Sequence, residues 1–250
     1  TFAGLDQARM LKINTLIMVY SPVSSSIFTY NLLTKESEYL TTTSSGFRAS
    51  AVPKENDYAL FLTDDKTLVS FNPKDRTFKY QTLSLPESTL DHEISSLLVY
   101  NRRLYSLDAA TGQLYRHETI RSGFATGKEW IKNGSIDTRG AKDVTIDGDI
   151  YILLPNGTVK KFTDGSSQEF AITNIDPPLV SGTRIFTYTD LTYLYVLDTA
   201  EKRLLILEKN GKLVKQITST SFTQPTDMII DEASKTAYII DGTAIVRISL

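Results

Sequence analysis

Short apolar segments separated by tight-turn dipeptides characterise residues 142–170, KDVTIDGDIYILLPNGTVKKFTDGSSQEF. Two Asp-Gly pairs and one Asn-Gly pair begin at positions 147, 156 and 164, nine and then eight residues apart. Such pairs tolerate the positive φ angles of the tight turns that join paired strands. The segments between them are rich in Val, Ile, Thr, Tyr and Phe, which favour strands. The pattern predicts four short strands that form one antiparallel sheet.

The same pattern recurs along the chain. Aromatic residues at positions 61, 105, 151, 195 and 238 lie in the second predicted strand of successive units, 44, 46, 44 and 43 residues apart. Aspartate follows three positions later at 64, 108, 198 and 241, whereas Leu154 takes that place after Tyr151. A further step of 43 residues back from Phe61 reaches Met18, inside the strand-like segment 15–20. The chain therefore contains six predicted units.

A period in the low to mid forties with four strands per unit is typical of a β-propeller. One sheet cannot bury both of its faces, but sheets stacked around a ring cover each other and leave only short outer edges. A linear solenoid is the alternative, and it is less favoured because the chain shows little helical periodicity. We predict an all-β, six-bladed β-propeller of four-stranded antiparallel blades in a single domain, residues 1–250. The predicted blades are residues 8–43, 44–87, 88–132, 133–174, 175–220 and 221–250.

The two ends of the chain leave alternatives open. Residues 5–13 fit either a helical turn or the inner strand of the first blade. The last blade has three predicted strands, at residues 226–231, 236–240 and 244–248. Residues 1–4 would supply its fourth strand if the ring closes through the N-terminus; otherwise the last blade stays three-stranded.

The recurring aromatic and aspartate are interpreted as structural. A carboxylate at the end of a strand can accept hydrogen bonds from the N–H groups of the following turn. The aromatic before it is expected to pack between neighbouring blades. Repetition in several blades supports this interpretation, because a catalytic residue is normally needed once.

The end of the chain carries a family resemblance. QPTDMIID at residues 224–231, TAYIID at 236–241 and AIVRI at 244–248 resemble the NHL-type repeat of six-bladed propellers, and AKDVTID at 141–147 begins a similar unit. That repeat runs Pro-x-Gly/Asp-Ile-Ala-Val-Asp, then a Tyr-Val-x-Asp strand, then a strand with Arg-Ile. The resemblance covers two blades, and the Asn-His-Leu triplet that names the family is absent. It implies a propeller of the NHL, TolB or YncE kind. Most such propellers are binding platforms, and lactonases and related metal-dependent enzymes are a minority.

Composition argues against several classes of partner and site. A net charge of -2 argues against nucleic acid as a partner, because phosphate binding needs an excess of Lys and Arg. No apolar run approaches the roughly 20 residues that span a bilayer. The absence of cysteine excludes disulfides and thiolate metal sites, which fits both the cytosol and a bacterial exported domain. The abundant Tyr and Phe, with Ser and Thr in the loops, favour an extracytoplasmic protein. We expect a monomeric propeller that belongs to a longer protein.

Propeller enzymes usually place ligands where the innermost strands meet the central channel. The positions predicted to lie at that channel mouth are Arg48, His92, Glu93, Lys142, Asp143, Arg184 and Asp227. Their mixed charges could bind a polar ligand, or Ca²⁺ through the carboxylates of Glu93, Asp143 and Asp227. Alternatively, the acids and bases neutralise one another in a solvated funnel.

No catalytic constellation is evident from the two histidines. His92 and His117 lack the spacing of a metal-binding pair, and neither forms a Ser-His-Asp arrangement by spacing. We interpret both as surface histidines. We predict no catalytic residues, no metal site and no cofactor, with Ca²⁺ at the channel mouth as the alternative.

Residues 121–139, RSGFATGKEWIKNGSIDTR, are a candidate partner-binding segment. The segment contains Phe124 and the only tryptophan, Trp130, in a glycine-rich and basic context. Trp and Arg are enriched at interface hot spots. The competing interpretation is that Trp130 packs on the outer strand of the third blade.

The sequence predicts a non-catalytic binding or scaffolding propeller that recognises a protein or glycan partner through one face of the ring. The repeat, the near-neutral charge and the lack of a catalytic constellation favour it. The alternative is a metal-dependent hydrolase or lactonase-like enzyme with its site at the channel mouth. A purely structural role is the third hypothesis.

Overall fold

A computed structural model describes residues 7–55, 57–132, 136–220 and 222–250. Those residues contain 25 strands and no α-helix. Nothing helical in these ranges is therefore long and apolar enough to cross a membrane.

Six antiparallel sheets follow one another along the chain. The first contains β1 (Arg9–Ile13), β2 (Leu16–Tyr20), β3 (Ser26–Asn31) and β4 (Ser37–Thr41). The second contains β5 (Phe47–Ala51), β6 (Ala59–Thr63), β7 (Leu68–Asn72) and β8 (Thr77–Gln81). The third contains β9 (Ile94–Tyr100), β10 (Arg103–Asp108), β11 (Gln113–His117) and β14 (Lys128–Glu129). Before β14, a separate hairpin contains β12 (Thr119–Ile120) and β13 (Gly123–Phe124).

The second half of the chain continues in the same way. The fourth sheet contains β15 (Asp143–Ile146), β16 (Ile150–Leu153), β17 (Val159–Thr163) and β18 (Ser166–Gln168). The fifth contains β19 (Gly182–Phe186), β20 (Leu194–Asp198), β21 (Arg203–Leu207) and β22 (Leu213–Thr218). The sixth contains β23 (Pro225–Asp231), β24 (Thr236–Asp241) and β25 (Ala244–Ser249). The predicted all-β, six-bladed β-propeller is confirmed; within the described residues its sixth blade has three strands.

Burial explains why the strands of one sheet differ in sequence. Every residue of the central strands β6, β20 and β21 is buried, and these strands read as nearly continuous apolar runs. A strand that is covered on both faces needs apolar side chains in both directions. The outer strand β4 alternates between exposed and half-buried positions, because only one of its faces is covered. Apolar runs therefore mark the middle of the second and fifth sheets, and alternation marks the outer strand of the first.

By its packing the chain divides into two units. The first unit comprises the described residues up to Glu87 together with Ser96–Ser106 and Arg116–Lys128. Its core lies between the first and second sheets and includes buried Phe47, Phe61 and Tyr20. The rings of Tyr20 and Phe61 meet edge to face, with 5.4 Å between their centroids. Such pairs add to the stabilisation that comes from burial alone.

The second unit comprises Ser88–Ser95, Leu107–Tyr115 and the described residues from Glu129 to Leu250. One core cluster joins the fourth and fifth sheets and includes Tyr151. Another joins the fifth and sixth sheets and includes Tyr195. The hydroxyl of Tyr195 donates to Glu232 Oε1 at 2.7 Å, so this buried aromatic keeps a hydrogen-bond partner. Burial, followed by the bond to Glu232, raises the pKa of Tyr195.

The structure resolves one of the two alternatives at the chain ends. Residues Arg9–Ile13 form β1, so the strand interpretation of residues 5–13 holds where the structure describes them. Residues 1–4, predicted to close the last blade, lie outside the described residues. Within the described residues β25 pairs with β24 alone. Closure through the N-terminus therefore stays a prediction, as does the single-domain organisation.

Strand register corrects the sequence alignment in the second sheet. Asp241 pairs with Pro225, the residue before the bulge in β23. Phe47 occupies the same place before the bulge in β5, and it pairs with Thr63 rather than with Asp64. The aromatic-x-x-Asp pattern of this blade is therefore one position out of step with that of the last blade. A spacing-based alignment could not detect the shift, because both faces of β6 are apolar.

The repeated aspartate connects two parts of its own sheet. In the third sheet Asp108 Oδ1 accepts from the N–H of Ala110, which caps the following turn as the sequence indicated. The same oxygen accepts from the N–H of Glu93, just before β9. In the sixth sheet Asp241 accepts from the N–H of Thr223, before β23. The carboxylate thus also holds the segment that leads into the first strand.

Candidate functional site

Three of the seven predicted channel-mouth residues form one ion network in the second unit. Asp143 lies in β15, Arg184 in β19 and Asp227 in β23. The Nη1 atom of Arg184 is 3.1 Å from Asp143 Oδ1, and its Nε atom is 2.5 Å from Asp227 Oδ1. One guanidinium therefore bridges two carboxylates, and the three side chains come from the first strands of three successive sheets.

The register of the three strands brings these side chains together. Asp143, Arg184 and Asp227 pair with Leu153, Leu197 and Ile240, which hold corresponding positions in their second strands. In β19 and β23 a bulge directly precedes the charged residue. Bulges re-aim side chains and are common next to functional sites.

Both carboxylates of this network are buried. Asp143 is 2% exposed and Asp227 is fully buried, whereas the Arg184 side chain is 20% exposed. Backbone N–H groups add further bonds, from Ile185 to Asp143 and from Met228 to Asp227. A buried carboxylate is costly unless it is paired and hydrogen-bonded, so Arg184 is structurally important here. The interpretation in which acids and bases neutralise one another describes these three residues well.

The remaining channel-mouth candidates have other surroundings. Arg48 belongs to the first unit, where its Nη2 atom lies 2.5 Å from Asp64 Oδ1. Glu93 and Lys142 have exposed side chains in the second unit. The backbone N–H of Lys142 donates to Leu153 O at 2.8 Å, which extends the sheet. The structure thus brings Asp143, Arg184 and Asp227 together, and it does not join these three other residues to that network.

His92 forms a pair with the repeated aspartate of its own sheet. Its Nδ1 atom is 2.6 Å from Asp108 Oδ2, and its ring meets the ring of Tyr115 edge to face. Burial alone would raise the pKa of Asp108, but hydrogen bonds from His92, Glu93, Thr111 and Ala110 outweigh it and lower the pKa. Asp108 is therefore held as a carboxylate. Within the described residues no cluster of three or more His, Asp or Glu side chains is arranged to hold a metal ion.

The interpretation of His117 as a surface histidine is wrong. Its side chain is fully buried in the first unit, with Nε2 2.9 Å from Ser106 Oγ and Nδ1 3.0 Å from Ala125 O. A carbonyl can only accept, so Nδ1 carries the proton and Nε2 accepts from the serine hydroxyl. Burial lowers the pKa of His117. Ser106 is also fully buried and the third group is a backbone carbonyl, so this Ser–His contact is structural.

The two aromatic candidates for partner binding have different environments. Trp130 is half-buried in the second unit, where its ring meets Phe162 edge to face at 6.4 Å. The backbone N–H of Trp130 donates to Leu114 O at 2.8 Å, and the contact of the ring with Phe162 favours the packing interpretation of Trp130. Phe124 is 4% exposed, lies in β13 of the first unit and lines a cavity there.

That cavity of the first unit has a volume of about 350 Å³. It lies between one face of the second sheet and the hairpin β12–β13. The residues that line it are Asp57, Tyr58, Leu60, Ser70, Asn72, Thr77, Lys79, Gln81, Thr119, Ile120, Arg121, Gly123 and Phe124. We refer to it as the hairpin cavity.

Strand alternation produces the polar wall of the hairpin cavity. Leu60, Ser70 and Lys79 lie opposite one another on β6, β7 and β8, and all three line the cavity. The residues next to them, such as Phe61 and Phe71, point to the other face and belong to the core of the first unit. Because side chains alternate between the two faces, one sheet supplies both a core face and a polar face.

The hairpin wall is attached to the segment that follows β8. The N–H of Thr82 donates to Ser122 O, and Thr82 O accepts from the N–H of Phe124, both at 2.8 Å. Gly123 has a φ of 137° between these two bonds. A Cβ atom at Gly123 would lie 2.5 Å from Thr82 N, so only glycine fits this close approach.

The charged side chains that line the hairpin cavity are exposed to solvent, and the charge of Lys79 acts on nearby Asp75. Across the described ranges, the side chains of Lys79, Arg121 and Asp57 form no hydrogen bond and no ion pair. Tyr58 lies beside them, and burial raises its pKa, followed by the charges of Asp57 and Glu55. Two cations, one carboxylate and a neutral phenol are thus available to a bound molecule. Uncommitted polar groups that converge in a cavity are typical of ligand sites.

Phe124 is the one residue of this cavity that the sequence indicated as a candidate for binding. The polar alternation of Ser70, Asn72, Thr77, Lys79 and Gln81 was a visible signal, since apolar residues separate most of these positions. Alternation predicts a polar face but not what covers it. Only the fold places residues 119–124 over that face.

Comparisons with known proteins identify the fold but no family. No protein family and no curated protein matches the chain. Hydrazine synthase of Kuenenia stuttgartiensis is a structural neighbour, with a TM-score of 0.65 and 10% sequence identity over 97% of this chain and 94% of that one. It is one of 1569 matching chains of solved structures, so the propeller is widely shared and indicates no particular activity.

Proposed function

We propose that this propeller is a non-catalytic binding domain of a longer protein, which recognises a protein or glycan partner. The observation that carries the proposal is the hairpin cavity with its uncommitted charges at Lys79, Arg121 and Asp57. These three side chains are exposed to solvent while they line a concave surface, so a bound molecule can reach them. The NHL-type resemblance also supports the proposal, because propellers of that kind mostly serve as binding platforms.

The surroundings of the channel-mouth acids favour binding over metal-dependent hydrolysis. Asp143 and Asp227 already engage the guanidinium of Arg184 at 3.1 and 2.5 Å. A Ca²⁺ ion at the same oxygens would meet the positive charge of Arg184 at close range, which opposes its binding.

A ligand screen with a cavity-filling variant tests the proposal. The protein is applied to arrays of immobilised glycans and of peptides, beside Ser70→Trp, which places an indole in the cavity. Ser37→Trp is the matched control, because Ser37 is an exposed serine on β4 of the first sheet. We expect a ligand that binds the parent and Ser37→Trp and is lost from Ser70→Trp. The comparison requires variants that melt within a few degrees of the parent.

Three results would contradict the proposal. The first is that no ligand on the arrays binds the protein. The second is a ligand that Ser70→Trp binds as well as the parent does. The third is heat of binding when millimolar Ca²⁺ or Zn²⁺ is titrated into the protein in a calorimeter, because that result would favour the metal-dependent hydrolase.

A further inference from the structure

The charges around the hairpin cavity fit a ligand with one negative charge. Lys79 and Arg121 contribute two positive charges, and Asp57 contributes one negative charge. A ligand with one negative charge can pair with these cations. A second negative charge on the ligand, as on a phosphate dianion, would meet the repulsion of Asp57 and of nearby Glu55, whose charge also acts on Tyr58. Arginine is also suited to a carboxylate, since its planar fork can donate two parallel hydrogen bonds.

The uncharged groups of the cavity fit a ligand with several hydroxyls. Gln81 Nε2 donates to Ser70 Oγ at 2.9 Å, which orients the amide and, among the described residues, leaves its oxygen available to accept. The phenol of Tyr58 is protonated at neutral pH, because the ordinary tyrosine pKa is about 10 and burial raises it further, so the phenol can donate. Leu60 and Ile120 add apolar surface to the same cavity, against which the C–H face of a sugar ring can pack.

We infer that the hairpin cavity binds a sugar acid, that is, a pyranose residue with one carboxylate, as found in acidic polysaccharides. Lys79 and Arg121 hold the carboxylate, while Asp57 and Gln81 accept hydrogen bonds from ring hydroxyls. The volume of about 350 Å³ is near the lower end of ligand pockets, about 300–1,000 Å³, which suits one or two sugar rings. The inference rests on the proposed binding function and specifies its ligand.

Calorimetry with a matched set of saccharides tests this inference. The probes are the methyl glycoside of galacturonic acid, which carries one carboxylate, the methyl ester of that glycoside, neutral methyl galactoside and inorganic phosphate. The protein variants are Lys79→Gln and Arg121→Gln, each of which removes one cation from the cavity. Lys74→Gln is the control, because Lys74 is exposed in the same β7–β8 hairpin and does not line the cavity.

We expect the galacturonic acid glycoside to bind and its methyl ester to bind at least tenfold more weakly, because one charge-assisted hydrogen bond accounts for about a factor of ten. Lys79→Gln and Arg121→Gln should each weaken the acid by a similar factor, and Lys74→Gln should not. Added salt should weaken binding of the acid more than binding of methyl galactoside.

Several outcomes would overturn the inference. Equal affinity for the acid and its ester would do so, as would equal effects of all three lysine and arginine variants, or tighter binding of inorganic phosphate than of the acid. These outcomes leave the proposed binding function intact if Ser70→Trp still abolishes binding of another ligand. If no saccharide binds, the inference fails, and the peptide array decides the broader proposal independently.

Discussion

Acidification should destabilise this protein through His117. The side chain is fully buried, and both ring nitrogens already have hydrogen-bond partners at 2.9 and 3.0 Å. Protonation would place a charge in this site and turn Nε2 from an acceptor into a donor. Burial therefore lowers the pKa of His117 in the folded state. The unfolded chain, with an ordinary histidine pKa of about 6.5, binds the proton more readily.

The size of the effect follows from proton linkage. Since the unfolded state binds more protons than the folded state, the free energy of unfolding falls as the pH drops below about 6.5. One proton changes it by at most about 1.4 kcal/mol per pH unit. From pH 7.5 to pH 5.5 the loss reaches at most about 1.4 kcal/mol if His117 stays neutral when folded. At about 2–4 °C per kcal/mol, this corresponds to a fall in Tm of about 3–6 °C.

Differential scanning calorimetry of the parent and His117→Gln between pH 5.5 and 7.5 measures this loss. Because glutamine does not titrate, acidification lowers the Tm of the parent through this site but not the Tm of the variant. The variant is less stable than the parent at pH 7.5, and the gap between the two Tm values therefore narrows as the pH falls. His92→Gln controls for the only other histidine and should leave the pH-dependent loss from His117 in place. A gap between the parent and His117→Gln that stays constant across this pH range would refute the reasoning.

Three further predictions follow from the structure. Arg184→Ala should lower the free energy of unfolding by about 3–5 kcal/mol in urea titrations, because it leaves two buried carboxylates without their cation; a loss below 1 kcal/mol would mean that water replaces the arginine. Gly123→Ala should cost about 1–3 kcal/mol, since φ is 137° and the new Cβ would collide with Thr82; an unchanged urea midpoint would show that the hairpin moves freely. The substitution Asp108→Asn should lower the free energy of unfolding most at neutral pH. The lowered pKa of the folded carboxyl stabilises the protein above the unfolded value of about 3.9, and that contribution is lost as the pH falls through the folded pKa; an equal deficit at pH 7 and pH 2.5 would argue against it.

The hairpin β12–β13 illustrates what local sequence patterns leave undetermined. Residues 121–139 were a candidate partner-binding segment because they contain Phe124 and Trp130. Their composition did not distinguish an interface hot spot from a residue that packs on its own blade. The structure separates them, because Phe124 lines the hairpin cavity and Trp130 packs beside Phe162. The deciding contacts join the hairpin to Thr82, about 40 residues earlier, and such long-range pairing has no local signature.

The sequence by itself determined the fold class, the number of blades and the strand-like segments of the repeat. These features depend on turn dipeptides, alternation and a period near 44 residues, all of which are local or periodic properties of the chain. The sequence did not determine the register of β6, because a strand that is apolar on both faces does not indicate which residue pairs with which.

Only the tertiary structure decided which charges meet. Asp143, Arg184 and Asp227 were predicted to lie near one another, but their joining into one buried network required three strands more than 40 residues apart. The prediction that His117 is a surface histidine was wrong, because burial depends on which other segments cover a strand. The sequence of the strand itself does not encode that cover. For the same reason the sequence did not single out Lys79 or Arg121, which the fold places in one cavity.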